Sequence, residues 1–187
     1  MKLIQLINKA LERKARKKLR KRSYFYISEA GKKPYEIFKA MMRYGYLSPR
    51  QQRVYDNGKQ VHERLLSYLE KQGVVKAREV KIESRIFRGR ADAILSLDEK
   101  LAVLEIKSMN KKSFKQLKHY ADKQAYLQLQ LYLHFLEIDD GILLIECKDD
   151  QKLKEFHIKR KPRTARQLIT QFYSLKEKFV EAGVMEE

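Results

Sequence analysis

The sequence GRADAILSLDEKLAVLEIK, residues 89–107, contains two β-rich segments separated by a short polar stretch. The pattern predicts strands over residues 90–96 and 101–107, joined by a four-residue hairpin loop at residues 97–100. The residues that flank the loop on both strands are mainly apolar, which is typical of a buried strand pair. The hairpin is therefore expected near the centre of a β-sheet.

Two carboxylates face each other in this predicted hairpin. Counting back from the loop pairs Asp92 with Glu105, and the Cβ atoms of directly opposed residues lie roughly 4.5–5.5 Å apart. Like charges placed in this way are destabilising unless a cation lies between them. Lys107 is two residues beyond Glu105 and shares its face.

This set of residue types suits metal-assisted hydrolysis of a phosphodiester. Oxygen ligands bind Mg²⁺, and a divalent cation both polarises the phosphate and supplies a nucleophile near neutral pH. A neighbouring lysine can orient or deprotonate the attacking water. A Glu-x-Lys sequence on its own is also typical of a solvated strand face, and that interpretation stays open here.

The overall charge favours an anionic polymer as partner. The 187 residues include 42 Lys plus Arg against 24 Asp plus Glu, a formal net charge of +18, and nucleic acid is favoured over a membrane surface. Residues 1–22 contain ten basic residues and one acidic residue. We predict a basic amphipathic helix over 1–22 and one domain over 23–187; an ordinary surface helix is the alternative for the first segment.

Several classes of protein are excluded by composition. The apolar runs are too short to span a bilayer. Because nucleic acid is the favoured partner for the charge, a membrane is not expected as partner under the favoured hypothesis. Cys147 is the single cysteine, which excludes a disulfide framework and a cluster held by four thiolates of one chain. A reducing compartment, the cytoplasm, is expected (the host cytoplasm if the source is a virus).

The remaining sequence predicts helices on both sides of further strands. We expect a helix from Pro34 to Tyr46, a turn or helix start at Ser48-Pro49, and a break at Asp56-Asn57-Gly58 before a helix to about Gln72. The other predicted elements are strands at 78–87, 141–147 and 153–159 and helices at 113–137 and 164–182. This order predicts an α/β (α+β) domain with a central mixed five-stranded β-sheet flanked by helices.

Four short motifs follow one another along the chain. They are Gly58-x-x-x-His62, Gly89-x-x-Asp92, Glu105-x-Lys107 and Gln128-x-x-x-Tyr132. In this order they resemble the PD-(D/E)XK nuclease superfamily, and within it the RecB-like exonuclease branch, which is related to CRISPR-associated RecB-type and phage or viral exonucleases. The resemblance covers roughly residues 28–147 and implies a restriction-endonuclease-like core.

The resemblance also implies roles for the motif residues. It implies metal ligands at His62, Asp92, Glu105 and the backbone carbonyl of Ile106, with Mg²⁺ or Mn²⁺ as cofactor. It implies a catalytic set of Asp92, Glu105, Lys107, Gln128 and Tyr132, in which Gln128 and Tyr132 position the lysine, the water or the DNA backbone. Many members of the branch hold an iron–sulfur cluster with four cysteines. This chain departs from that pattern, so no iron–sulfur cluster is expected.

Basic and aromatic residues near these motifs are candidates for DNA contacts. They are Arg85, Arg88, Arg90, Lys111, Lys112, Lys115, Lys118 and Tyr35. Tyr24, Phe25 and Tyr26 are further aromatics on which bases of a single strand could stack, with burial in the core as the alternative. Phosphate contacts carry little base information, so largely sequence-independent recognition of single-stranded DNA or duplex ends is expected. The sequence leaves open whether the chain forms a homo-oligomer.

The favoured hypothesis is a metal-dependent DNA nuclease, an exonuclease before an endonuclease, in DNA recombination, repair or replication, with a phage or viral source included. One alternative is a catalytically inactive nuclease-fold module that binds nucleic acid. Another is a basic peripheral membrane protein that attaches through residues 1–22.

Overall fold

A mixed β-sheet of six strands forms the centre of the protein. The computed structural model describes residues 2–14, 22–42, 48–117 and 122–186. The strands are β1 (Phe25–Tyr26), β2 (Val75–Glu83), β3 (Phe87–Leu97), β4 (Lys100–Met109), β5 (Asp140–Cys147) and β6 (Leu153–Lys159). Their order is β1-β3-β4-β5-β6, with β2 also paired with β3. The pairs β1–β3 and β4–β5 are parallel, and the other pairs are antiparallel.

Helices cover both faces of this sheet. They are α1 (Leu3–Lys14), α2 (Pro34–Met42), α3 (Pro49–Lys71), α4 (Lys111–Gln116), α5 (Lys123–Leu136) and α6 (Pro162–Glu181). One face packs on Val61, Leu65 and Leu66 of α3. The opposite face packs on α5 and α6 through a core that includes Leu129 and Phe172. The arrangement confirms the predicted α/β fold class, in which helices flank a mixed sheet.

The N-terminus of α3 illustrates how local sequence sets an element. Ser48 and Gln51 form a capping box, in which the Ser48 hydroxyl accepts from the Gln51 N–H at 3.2 Å and the Gln51 side chain accepts from the Ser48 N–H at 3.0 Å. Pro49 occupies the first turn, where its missing N–H costs nothing. These residues fix where the helix that carries His62 begins.

The strand pairing along one edge of β3 is interrupted next to Asp92. β2 lies along one edge of β3, while β1 pairs with residues 87–88 and β4 with residues 93–97. Because a strand has two edges, β1 and β4 share the edge opposite β2. Residues 89–92 have no ladder partner on it within the described chain. Gly89 lies in this interval, where a Cβ atom would stand 2.7 Å from Ile27 Cδ1, so the close approach of the backbone requires glycine.

The predicted hairpin register is confirmed over most of its length. The four pairs from Ser96–Leu101 to Ala93–Leu104 are present. The loop is shorter than predicted, because Leu97 pairs with Lys100 and leaves a two-residue turn at Asp98-Glu99, both with positive φ. The predicted pairing of Asp92 with Glu105 is wrong, since the ladder ends one residue earlier.

Other predicted boundaries differ from the structure for physical reasons. The sheet has six strands rather than five because the two-residue β1 is too short to show alternation. The break predicted at Asp56-Asn57-Gly58 is wrong, since α3 runs through it. A glycine inside a helix costs only about 1 kcal/mol relative to alanine, and burial of the α3 stripe outweighs that cost.

The long helix predicted over residues 113–137 is instead two helices, α4 and α5, capped by Asn110 and Asp122 respectively. Lys118, residues 15–21 of the predicted basic helix and the predicted helix end at Tyr46 lie outside the described residues. Within the part of the chain that the structure describes, no helix is long and apolar enough to cross a membrane.

Candidate active site

Asp92 lies in the interrupted part of β3, and both of its oxygens are engaged. Oδ2 accepts a hydrogen bond from the Ile106 backbone N–H at 2.6 Å, and Oδ1 is 2.9 Å from His62 Nδ1. Since the β3–β4 ladder has already ended, the Ile106 N–H needs another acceptor, and the carboxylate provides it. Asp92 therefore ties α3 to the sheet.

Glu105 and Lys107 belong to β4 and lie next to Asp92 of β3. Lys107 Nζ is 2.7 Å from Glu105 Oε1 and donates to Gln128 Oε1 at 2.9 Å. The amide of Gln128 in turn donates to Glu105 Oε1 at 2.8 Å. The lysine is thus held by one carboxylate and one amide, with 32% of its side chain exposed.

Tyr132 extends this network to the backbone of β3. Gln128 Nε2 is 3.0 Å from the Tyr132 hydroxyl, which donates to the Arg90 carbonyl at 3.0 Å. Gln128 and Tyr132 are four residues apart on α5, so both reach the same side. Burial raises the pKa of Tyr132 well above its usual value, and the phenol stays protonated.

Glu105 is the least satisfied carboxylate of the set. The residue is 3% exposed, and its buried Oε2 has no hydrogen-bond partner among the described residues. Burial raises the pKa of Glu105 to about 7, against the lowering effect of the Lys107 charge. A buried acceptor without a partner costs free energy and calls for an explanation, and a bound ion is one of the usual ones.

His62 completes the set from α3. Burial lowers its pKa, but the hydrogen bond and the negative charge of Asp92 outweigh burial, and the net pKa is raised. No group of three His, Cys, Asp or Glu side chains in the described ranges stands ready-made around one point for a metal. The orphaned Oε2 of Glu105 and the oxygen and imidazole donors beside it nonetheless have the chemistry that a divalent cation requires.

A cavity of about 680 Å³ opens beside these residues. The residues on its wall are Tyr26, Ser28, Tyr55, Gly58, Lys59, His62, Glu63, Glu79, Lys81, Arg88, Gly89, Arg90, Asp92, Gln128 and Tyr132. The structure thus brings Asp92, His62, Gln128 and Tyr132 to one cavity, and Glu105 and Lys107 contact its Gln128.

The candidate DNA-binding residues divide into two groups. Arg88 and Arg90 line the cavity, whereas Arg85 lines a separate groove beside Tyr173. Tyr35 and the α4 residues Lys111, Lys112 and Lys115 are exposed and are not on the cavity wall. Cys147 is buried.

Sequence reasoning missed three groups on the cavity wall. Tyr55 and Lys59 precede His62 by seven and three residues on α3 and share its side, a relation hidden by the predicted break at residues 56–58. Glu79 has φ 52° inside β2, in the left-handed region that non-glycine residues rarely occupy. Glu79 lies opposite Asp92 of β3, and its Oε2 is 2.5 Å from Arg90 Nη1. No sequence pattern indicates this backbone conformation or this contact.

Comparison with known proteins gives a fold but no family. No family model matches the chain, and no curated protein matches it. Solved structures do: an alkaline exonuclease (LHK-Exo) from Laribacter hongkongensis has a TM-score of 0.60 at 12% identity, with 94% of each chain covered. The same exonuclease in complex with dAMP has a TM-score of 0.62 at 15% identity, covering 87% of this chain and 90% of that one.

A further structure, of the protein SSO0001, has a TM-score of 0.59 at 21% identity and covers 91% of this chain and 87% of the other. At these identities the likeness concerns the fold. The chain has the mixed α/β architecture of these proteins, including one named as an exonuclease.

Proposed function

We propose that the protein is a divalent-metal-dependent deoxyribonuclease of the RecB-like PD-(D/E)XK type. The observation that carries this proposal is Glu105, which is buried beside Asp92 and Lys107 and has one oxygen without a partner among the residues that the structure describes. The fold shared with a protein named as an alkaline exonuclease, and solved with dAMP, supports an exonuclease that acts on DNA.

The metal would be held by Asp92, Glu105, His62 and the carbonyl of Ile106, with Mg²⁺ or Mn²⁺ as candidates. When bound, such a cation polarises a phosphate oxygen and lowers the pKa of a bound water. Asp92 Oδ1 and Glu105 Oε2 are the oxygens not committed to backbone or to Lys107. His62 Nδ1 is engaged with Asp92, so Nε2 is the ring nitrogen through which His62 would bind the metal while that contact persists.

Lys107 would act on the reacting groups directly. Its ammonium is fixed by Glu105 and Gln128, while a third of the side chain stays open to solvent. From that position it donates a hydrogen bond to the attacking water or to the phosphate oxygen on which charge develops. Gln128 limits the rotation of the lysine, and Tyr132 limits that of Gln128.

Four cations on the cavity wall would bind the phosphate backbone. They are Lys59, Lys81, Arg88 and Arg90. Phosphate contacts position a strand without reading its sequence, so we expect cleavage at many sequences. Arg90 is paired with Glu79 at 2.5 Å, and a phosphate would compete with that carboxylate for the guanidinium.

The proposal is tested with end-labelled single- and double-stranded DNA in Mg²⁺ and in Mn²⁺. The unaltered chain should release labelled mononucleotides or short products from ends. Lys107→Ala and Asp92→Ala should each lower the rate by about 10²–10⁴-fold. Lys100→Ala, at the exposed start of the same strand, should not. Activity that survives both site changes would refute the proposal, and binding without cleavage would identify a non-catalytic module.

A further inference from the structure

Tyr26 is an exposed aromatic ring that the fold holds in a fixed position. The side chain lies on the cavity wall and the residue is 47% exposed. The Arg22 guanidinium lies over the ring, 4.7 Å from its centroid. One face of the ring is therefore covered by a cation, and the ring is not part of the hydrophobic core.

A buried ion pair fixes that cation. Arg22 Nη2 donates to both oxygens of Glu29, at 2.7 and 2.9 Å, and Glu29 is buried. Glu29 Oε2 also accepts from the Tyr26 backbone N–H at 2.9 Å. The same carboxylate thus fixes the backbone of Tyr26 and the cation over its ring. A surface tyrosine needs no such support for stability alone.

Tyr24 supports the ring from its edge. The Tyr24 and Tyr26 rings meet edge to face with centroids 5.5 Å apart, an arrangement that aromatic pairs favour. The Arg88 guanidinium, which lies on the cavity wall, is 5.4 Å from the Tyr24 centroid. Contacts thus run from Glu29 through Arg22, Tyr26 and Tyr24 to Arg88, and they restrict the ring of Tyr26.

A second tyrosine lines the cavity from α3. Tyr55 is 62% exposed and lies seven residues, or about two helical turns, before His62. Lys59 lies between them on the same side of the helix, and all three line the cavity. The cavity wall therefore includes an aromatic ring from β1, another from α3, and the cations Lys59, Lys81, Arg88 and Arg90.

We infer that Tyr26 is a stacking platform for an unpaired nucleobase of the substrate strand, with Tyr55 as a second aromatic surface. This inference rests on the proposed function. Every base has a π-face that can stack on an aromatic ring, but a base inside a duplex already stacks on its neighbours and exposes only its edge. The cavity consequently selects single-stranded DNA, or the frayed end of a duplex, over paired DNA.

The test measures binding by fluorescence anisotropy in Ca²⁺, with a single-stranded oligonucleotide and with an abasic strand of equal length and charge. Tyr26→Ala should weaken binding of the ordinary strand by about 5- to 150-fold, whereas Tyr26→Phe should retain it. Binding of the abasic strand should not change. Tyr68→Ala is the matched control, because Tyr68 is exposed on α3 and is not among the cavity-lining residues.

A second measurement uses only the unaltered protein, so its result does not depend on whether a variant folds. Terminal 2-aminopurine in a single strand should lose fluorescence when the unaltered protein binds it, because stacking on a ring quenches the base. Equal effects of Tyr26→Ala on the ordinary and abasic strands, or an unquenched probe, would overturn the inference while leaving the nuclease proposal in place. An unaltered protein that binds neither strand would overturn both.

Discussion

Two glutamates on neighbouring strands are buried to the same degree and are held very differently. Glu105 of β4 is 3% exposed and Glu146 of β5 is 2% exposed. Arg64 Nη2 lies 2.8 Å from each oxygen of Glu146. Glu105 shares Oε1 with Lys107 and Gln128, and its Oε2 has no partner within the described residues.

We interpret this difference as that between a carboxylate that holds the fold together and one that, under the proposed function, is kept for a metal. A buried charge is tolerated when it is paired and each of its oxygens has a partner, as in Glu146. An incomplete set costs stability, and natural proteins keep such costs mainly where function requires them. Burial alone would not distinguish the two residues; the partner of each oxygen does.

The largest expected effect is on activity. Loss of a group in the outer shell of a metal site typically costs 10–100-fold, and a proposed ligand should cost at least the upper figure. We expect Glu105→Gln to lower the cleavage rate by about 100-fold or more, and Glu146→Gln to leave the rate within a few-fold. Initial rates on end-labelled DNA, with folding of each variant checked by circular dichroism, measure this difference. Equal losses for both would remove the distinction.

Stability should show the opposite order. Glu146→Gln breaks a charged pair with Arg64 and should lower the free energy of unfolding by about 1.5–3 kcal/mol. Glu105→Gln removes a charge that burial disfavours, and the remaining Lys107 can be solvated because 32% of its side chain is exposed. The change should therefore alter that free energy by less than about 1 kcal/mol in either direction. Urea denaturation of the two variants beside the unaltered chain gives both values. A Glu105→Gln protein that loses more stability than Glu146→Gln contradicts our interpretation.

Two buried glutamines on α5 sharpen the same comparison. Gln128 contacts Glu105 and Lys107, so Gln128→Leu should slow cleavage by about 10-fold through a misplaced lysine. Within the described part of the chain, the Gln130 side chain forms hydrogen bonds only with backbone groups: it donates to the Lys159 carbonyl at 2.8 Å and accepts from the Lys161 N–H at 2.7 Å.

Gln130→Leu should therefore lower stability by about 1–2 kcal/mol and leave the cleavage rate per folded molecule unchanged. Steady-state rates and urea denaturation are measured on the same preparations. If Gln130→Leu slows cleavage as much as Gln128→Leu, the assignment of Gln128 to the active site and of Gln130 to structural support is wrong.

The smallest effect concerns the backbone opposite Asp92. Glu146 pairs regularly with Leu153, whereas Glu79 beside the site holds a positive φ. A left-handed conformation costs an L-residue roughly 1–2 kcal/mol. Glu79→Val should therefore be about 1 kcal/mol less stable than Glu79→Gly, and both lose the same carboxylate. Identical unfolding midpoints for the two variants would show that this backbone carries no strain.

The hairpin shows how far the sequence alone predicts this site. Alternation and loop length were enough for the register from Ser96–Leu101 to Ala93–Leu104, and hence for the proximity of Asp92 to Glu105. The point where the ladder ends was not predictable, because it depends on the two-residue β1 taking over the edge of β3. That interruption turns Asp92 toward the Ile106 N–H rather than into a pair with Glu105.

The cavity wall was less accessible to prediction. His62 came from a motif, but Tyr55 and Lys59 required an uninterrupted α3, and local propensity at Asp56-Asn57-Gly58 argued for a break. Tertiary burial of the helix overrode that propensity. The unsatisfied oxygen of Glu105 depends on how Lys107 and Gln128 crowd onto the other oxygen, which a sequence does not express.

The most direct test of the central claim is calorimetric titration of Mn²⁺ into three proteins: the unaltered chain, Glu105→Gln and Glu146→Gln. We predict that the unaltered chain and Glu146→Gln bind Mn²⁺ with affinities within a few-fold of each other. Glu105→Gln should bind at least about 10-fold more weakly. Equal Mn²⁺ affinity of Glu105→Gln and the unaltered chain would contradict the assignment of Glu105 as the carboxylate kept for a metal.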